Sequence, residues 1–307
     1  MQTNHFYAHG KLLLSGEYVV LDGSLSLALP TQLGQHLTVE EGDTPCDSFQ
    51  WIALQSNGEE WINTTIEKSN LNALEANEVT NRLSIFLRAV RVQNPSFLVN
   101  CALQKVTTKL DFPNEWGLGS SSTLISLLAQ WGHVNPYTIL NNTIGGSGYD
   151  IACATSKNAI LYTNKNGEML VQNSTFYPSF KEHLYFAYLG KKQLSSESIK
   201  HYKQFSGDRK NVVSTINEIT NAILGCTSVS AFSQLIHEHE KTIGDTLKLT
   251  PIKNQLFSDY WDEVKSLGGW GGDFALFVNT KTKEELVNYL SSKNIHIIFK
   301  YDEIILN

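Results

Sequence analysis

The spacing of apolar and polar positions divides the chain into a strand-rich opening and a later alternation of strands and helices. Lys11–Leu14 leads through Ser15-Gly16-Glu17 into the apolar run Tyr18–Leu21, and Ser24–Leu29 alternates polar and apolar residues beyond Asp22-Gly23. Two strand-like runs around Asp-Gly predict a hairpin. His36–Val39 and Phe49–Leu54 read as further strands. The period then changes. Between Val79 and Val92, Leu83, Ile85, Phe86, Ala89 and Val90 fall on one helical face. Ser96–Val106 reads as a strand, Asp111–Gly117 as a loop, and Ser121–Trp131 as an apolar helix.

Past Asp150 the strand-like runs are Ala159–Thr163, Met169–Val171 and Leu184–Tyr188. Ser206–Gly225 and Ser230–Leu247 have helical spacing. Pro251 opens a predicted helix that carries Phe257, Tyr260, Val264 and Leu267 toward a core. A glycine cluster precedes the strand Phe274–Val278, the short helix Lys283–Leu290 and the closing strand His296–Lys300. Strands and helices mixed in this way predict an α+β protein. The change of domain is placed near residue 178, giving 1–178 and 179–307.

Length and charge narrow the function. The 307 residues suffice for two packed domains, and 41 % hydrophobic with 18 % charged residues is globular composition. A formal net charge of −6 provides no overall field for nucleic acid, so an acidic substrate would need a local basic pocket. Cys46, Cys101, Cys153 and Cys226 form no C-x-x-C pair, which argues against a zinc or redox motif. The opening MQTNHFYAHGK has no signal pattern, and no apolar run approaches the ~18 residues of a membrane span. The expectation is a cytoplasmic enzyme with reduced thiols and no membrane partner, either monomer or homodimer.

The stretch with the most chemistry is Pro113-Asn114-Glu115-Trp116-Gly117-Leu118-Gly119-Ser120-Ser121-Ser122-Thr123, ahead of the apolar helix. Glycines let backbone approach a ligand closely, and a helix N-terminus offers unpaired N–H groups at the positive end of a dipole. Together they suit phosphate, with serine hydroxyls as further ligands for phosphate or Mg2+. No lysine stands where a Walker A loop needs one. The same residues also make a glycine turn with a serine cap and no ligand.

This P-x-x-x-G-L-G-S-S-S pattern resembles the nucleotide loop of the GHMP kinases, and further motifs in the chain resemble that superfamily in the same order. Ala8-His9-Gly10-Lys11 through Ser15-Gly16-Glu17-Tyr18 is similar to the family's A-P-G-K…G-E-(Y/H) opening, with His9 in place of proline. Gly145-Gly146-Ser147-Gly148-Tyr149-Asp150 is similar to its G-x-P-S-G-x-D segment. Lys265-Ser266-Leu267-Gly268-Gly269-Trp270-Gly271-Gly272-Asp273 is similar to the K-x-S-G-A-G-G-G-D segment of phosphomevalonate kinases, with Trp270 in place of a glycine.

The resemblance implies a ribosomal protein S5 domain 2-like N-terminal domain, a ferredoxin-like C-terminal domain and ATP bound between them. It implies that Gly117, Leu118, Gly119, Ser120, Ser121 and Ser122 bind ATP, with Ser121 on Mg2+. Lys11 and Asp150 take the catalytic roles, the lysine stabilising charge and the aspartate accepting or orienting the acceptor's proton. Glu17, Tyr18, Ser147, Gly148, Gly271, Gly272 and Asp273 fall at substrate positions. Tyr137–Thr143 lacks the carboxylate that mevalonate kinases use for magnesium, so the metal is left to Ser121, phosphates and water, or to a carboxylate elsewhere in the chain. The implied activity is phosphorylation of an isoprenoid-precursor acid, phosphomevalonate ahead of mevalonate. The rivals are another acceptor, such as homoserine or a sugar, and a catalytically silent ligand-binding homologue.

Other residues read as bland. His237-Glu238-His239-Glu240 places its histidines at i and i+2, on different helix sides, and is expected to be a solvated face. Lys191-Lys192 and Arg209-Lys210 read as solvated basic pairs, and the tryptophans as packing residues. Gly190–Ser196 resembles a family segment that contacts substrate.

Overall fold

The computed structural model describes residues 2–165, 167–191, 195–270 and 272–306. These form an α+β protein whose chain gathers into two compact units. One comprises Met1–Gly10, Leu33–Asn114 and Leu118–Thr155, and the other Lys11–Gln32, Glu115–Gly117 and Ser156–Asn307. The grouping follows spatial proximity, so the long strands β1 (Gln2–Ser15) and β2 (Ser26–Glu41), which pair with each other, contribute to both units.

In the first unit, β3 (Ser48–Leu54) pairs antiparallel with β4 (Glu60–Glu67) and parallel with β5 (Leu103–Leu110). β5 pairs antiparallel with the second half of β2, from Gln35↔Leu110 onward. Parallel β3 and β5 need a crossover, and it carries helix α1 (Glu78–Gln93). Asn77 starts that helix by accepting from the N–H groups of Val79 and Thr80, while the Thr80 hydroxyl receives the Asn77 N–H. Leu83, Phe86, Leu87 and Val90 are buried against Trp51, Val106 and Leu128 in one core. Ile85, expected on that face, is 44 % exposed. Helices α2 (Ser120–Gly132), α3 (Pro136–Asn142) and α4 (Tyr149–Ala154) complete the unit.

In the second unit, Ser26–Ala28 of β2 pairs with β6 (Ile160–Lys165), which forms an antiparallel ladder with β7 (Glu168–Asn173). A separate antiparallel sheet runs β11-β8-β10-β9, from β8 (Leu184–Tyr188), β9 (Val264–Leu267), β10 (Phe274–Val278) and β11 (Ile298–Lys300). The central strand β10 is apolar and buried at every position, as a strand covered on both faces must be. The helices are α5 (Ser195–Lys203), α6 (Arg209–Leu224), α7 (Val229–Leu247), α8 (Ile252–Leu256), α9 (Lys283–Ser292) and α10 (Tyr301–Ile304).

Three expected elements are corrected. The tight hairpin turn at Asp22-Gly23 does not form; β1 and β2 pair with each other across the longer connection 16–25. Gly16 (φ +97°) and Tyr18 (φ +63°) turn the chain out of the strand, and Val19–Asp22 closes a buried 3-10 turn. Ser96–Val106 becomes a strand only from Leu103, because Leu98 and Asn100 have positive φ. The helix after Pro251 stops at Leu256, and Val264–Leu267 is a strand. Phe257, Tyr260, Val264 and Leu267 are all buried, so helical spacing arose there from a loop, which carries Phe257 and Tyr260, and the strand β9.

Candidate active site

The second unit holds Lys11, Glu17, Tyr18, Gly117, Gly272 and Asp273. Lys11 is 8 % exposed, and its Nζ donates to the Gly117 carbonyl at 2.9 Å. Gly117 has φ +70°, and a Cβ there would lie 2.4 Å from Asp273 Cγ. Glycine is therefore required on both counts, and its absence of a side chain is what admits the aspartate. Asp273 is buried, its own φ is +52°, and its N–H donates to the Lys191 carbonyl at 2.7 Å. Trp116 anchors this end of the loop by stacking on Tyr188, with ring centroids 5.8 Å apart, and by edge contacts to Phe274 and Phe299. Gly272 is buried, and its N–H donates to Gly269 O. Gly271 lies outside the described residues, as do 192–194 of the Gly190–Ser196 segment.

The first unit holds Leu118, Gly119, Ser120, Ser121, Ser122, Ser147, Gly148 and Asp150. Gly119 caps α2 in the left-handed region, and no side chain caps the helix N-terminus. Its first-turn N–H groups and dipole end thus face whatever lies beyond the turn. Ser120 donates to Asn114 Oδ1 at 2.7 Å, and Thr123 donates to Gln35 Oε1 at 2.7 Å, fixing the turn from both sides. Gly148 caps α4 in the same left-handed way, and Asp150 sits in the first turn of α4. The first turns of α2 and α4 meet through Ser122 Oγ, which donates to Asp150 Oδ2 at 3.4 Å. Ser121, Ser147 and Asp150 are half-buried.

A cluster that the sequence reading set aside lies under Gly16–Tyr18. His239 and Glu240 are 0 % and 2 % exposed, which corrects the expected solvated face; His237 alone of the histidine pair is open to solvent. They belong to the buried stripe Phe232, Ile236, His239, Glu240, Ile243, Leu247 of α7. That helical spacing was the available signal. Lys265, 1 % exposed in β9, places Nζ 2.5 Å from Glu17 Oε1 and 3.4 Å from Glu240 Oε1. Burial would raise the Glu17 carboxyl, but the Lys265 ammonium beside it outweighs burial and brings it down to about 2. Burial raises Glu240 to about 7, with Lys265 opposing. Burial and the Lys265 charge lower His239, which favours neutral imidazole. Glu17, expected at a substrate position, therefore has its carboxylate engaged inside the unit.

Trp270, the departure from the glycine pattern, turns inward at 8 % exposure, and its indole N–H donates to Thr250 O at 3.1 Å. Among the described residues no group of three or more His, Cys, Asp or Glu side chains could hold a metal, and no helix is long and apolar enough to cross a membrane.

Whole-chain comparison defines the class: the protein has the α+β fold of the GHMP-type small-molecule kinases. It is similar to the mevalonate kinase of Methanococcus jannaschii at 16 % identity and TM-score 0.70, over 100 % of this chain and 99 % of that one. It is similar to the phosphomevalonate kinase of Streptococcus pneumoniae, in a complex with phosphomevalonate and AMPPNP, at 15 % identity and TM-score 0.68, over 98 % and 100 % of the chains. The galactokinase of Lactococcus lactis, complexed with galactose, matches at 10 % identity and TM-score 0.72, over 99 % and 93 %. No protein-family model matches the sequence, and no curated protein is significantly similar to it.

Proposed function

We propose that the protein is an ATP-dependent small-molecule kinase whose acceptor is an isoprenoid-precursor acid, phosphomevalonate or mevalonate. The observation that carries this reading is the meeting of the α2 and α4 first turns. A glycine-capped helix start with no side-chain cap stands beside an aspartate in hydrogen-bond contact with Ser122. Such a helix start suits nucleotide phosphates, and an adjacent carboxylate suits an acceptor hydroxyl.

The donor chemistry fits magnesium carried by the nucleotide, because that ion takes one or two protein oxygens and fills its remaining positions with phosphate and water. Ser121 is the hydroxyl that the motif resemblance assigns to it, and the ion would supply neutralisation of phosphate charge. Phosphoryl transfer asks the protein for positioning and fixed charge more than for covalent chemistry. Lys11, held by the Gly117 carbonyl, supplies a positive charge on a fixed stem. Asp150 accepts the proton of a hydroxyl acceptor. With phosphomevalonate, whose nucleophile is already ionised, it orients the acceptor instead. The motif resemblance favours the phosphorylated acid, since Asp273 ends the C-terminal loop.

The test is ADP release from Mg-ATP with mevalonate, phosphomevalonate, homoserine and galactose offered in parallel. Turnover on a mevalonate-pathway acid, lost in Asp150→Asn, supports the reading. Turnover on homoserine or galactose moves the acceptor class, and ATP binding with no turnover on any acceptor favours the silent homologue.

A further inference from the structure

The turn Gly16–Tyr18 is strained and enclosed. Val19 N donates to Glu17 O at 2.7 Å across Tyr18, whose φ and ψ are 63° and −48°. This is a γ-turn of the rare positive-φ form, and a tyrosine there is a backbone outlier. Gly16 at φ +97° has no room for a side chain, since a Cβ would lie 2.2 Å from Ser26 Oγ. Backbone of this kind persists where its surroundings over-determine it, and it concentrates at ligand clamps.

The surroundings form a closed circuit within the second unit. The Gly16 N–H donates to His239 Nε2 at 3.1 Å, which ties the turn to α7. Lys265 grips Glu17 at 2.5 Å and is itself backed by Glu240 of α7 at 3.4 Å and the Ser266 carbonyl at 3.0 Å. Strand β9 then runs from Lys265 into the glycine loop that starts at Gly268. The Tyr18 hydroxyl closes the circuit by accepting the Trp270 N–H at 2.9 Å. Tyr18 is 7 % exposed, so its ring is structural to the turn.

We propose that the strained turn is a set-point for the start of the glycine loop, Gly268 to Trp270. Tyr18 transmits the turn's geometry to the Trp270 amide, and Lys265 and His239 are positioning residues that hold the turn. The benefit to ligand binding rests on the kinase reading above, which makes that loop a substrate contact. Lys265 acts on Tyr18 through Glu17, the neighbouring residue of the turn.

The primary test needs no substrate: amide hydrogen exchange in the ligand-free protein. Tyr18→Phe removes only the hydroxyl, and the Trp270 amide is expected to exchange about tenfold faster, the loss of one hydrogen bond. Lys265→Met should accelerate the same amide while the β8 amides keep their protection. It leaves Glu17 buried and unpaired, so the double variant Glu17→Gln/Lys265→Met, which removes both charges, serves where the single one does not fold. Unchanged Trp270 exchange in the Lys265 variants, or acceleration spread equally over β8, overturns the set-point. The second test is kinetic: Lys265→Met should raise the acceptor KM while kcat holds. Faster exchange with an unchanged KM overturns the link to ligand binding. Absence of wild-type turnover defeats the kinase reading alone, because the exchange result decides the set-point without it.

Discussion

Around Gly16–Tyr18 the charged side chains are buried and bound to one another, whereas at the first turns of α2 and α4 Ser120, Ser121 and Asp150 are half-buried, above a buried Ser122 and Thr123. Both regions are glycine-bearing turns from motifs of the same resemblance. The first encloses Lys265, Glu17, Glu240 and His239 and stores backbone strain at Tyr18. The second presents an uncapped helix start, serine hydroxyls and one carboxylate. Burial makes a polar group expensive to disturb, and partial exposure makes it available. The first region therefore governs stability and geometry, and the second is suited to chemistry.

The largest effect on stability is expected from Lys265→Met. Removing one partner of a buried ionic cluster leaves Glu17 uncompensated, and costs of about 3–5 kcal/mol are usual. Urea denaturation should register that loss, and Glu17→Gln/Lys265→Met should recover most of it. If the single variant costs no more than a surface change, the cluster is not what holds the turn.

The next effect depends on pH. Glu240 holds its proton more tightly in the folded protein, at about 7, than at its ordinary 4.5. Its contribution to stability is present below 4.5 and is lost as pH rises through about 7. The expected loss over that window is on the order of 3 kcal/mol. Glu17 acts in the other direction: held at about 2, it contributes above its ordinary 4.5, and that contribution is lost as pH falls toward 2. Melting temperatures followed from about pH 5 to about pH 8 should lose the Glu240 downward slope in Glu240→Gln, leaving the opposite rise contributed by His239, whose imidazole burial holds neutral. An equal slope in the variant would remove Glu240 as the cause.

Gly117→Ala should cost somewhat less, about 1–3 kcal/mol, from the positive φ and the overlap with Asp273. In an Asp273→Ala background the overlap disappears and only the backbone cost is left. The difference between the two backgrounds, read from a double-mutant cycle, isolates the close approach.

Much of this was legible in the sequence, and the failures have physical causes. The strand Leu184–Tyr188 and the helix at Glu78–Gln93 follow directly from period and caps. Asn135 followed by Pro136 was a helix-start signal for α3 that the reading did not use. Asp22-Gly23 pointed to strands that do pair, β1 with β2, but not to the length of their connection, because a turn residue pair shows nothing of the strain imposed upstream at Tyr18. The i, i+2 spacing of His237 and His239 points to a solvated face, although His239 and Glu240 each fit the apolar stripe of α7. Their burial depends on Lys265 and Glu17, far away in sequence, and no local pattern reports a partner. The motif residues themselves were legible as types, while the contacts of Lys11 with Gly117 and of Ser122 with Asp150 needed coordinates.

The smallest effect on stability is expected where the largest effect on activity lies. Ser121→Ala and Asp150→Asn alter half-buried side chains, and the Ser122–Asp150 hydrogen bond is long at 3.4 Å. Changes of about 0.5 kcal/mol or less are expected for each. Phosphoryl transfer in Asp150→Asn should nevertheless fall, and the size of the fall separates two roles. Loss of a general base costs about 10²–10⁴-fold, so a drop in that range assigns proton acceptance to Asp150. A fall below about tenfold, on an acceptor whose nucleophile is already ionised, assigns it orientation. If Asp150→Asn instead unfolds as readily as Lys265→Met, the aspartate is a structural group, and the contrast between the two regions fails at the residue on which the proposed chemistry depends.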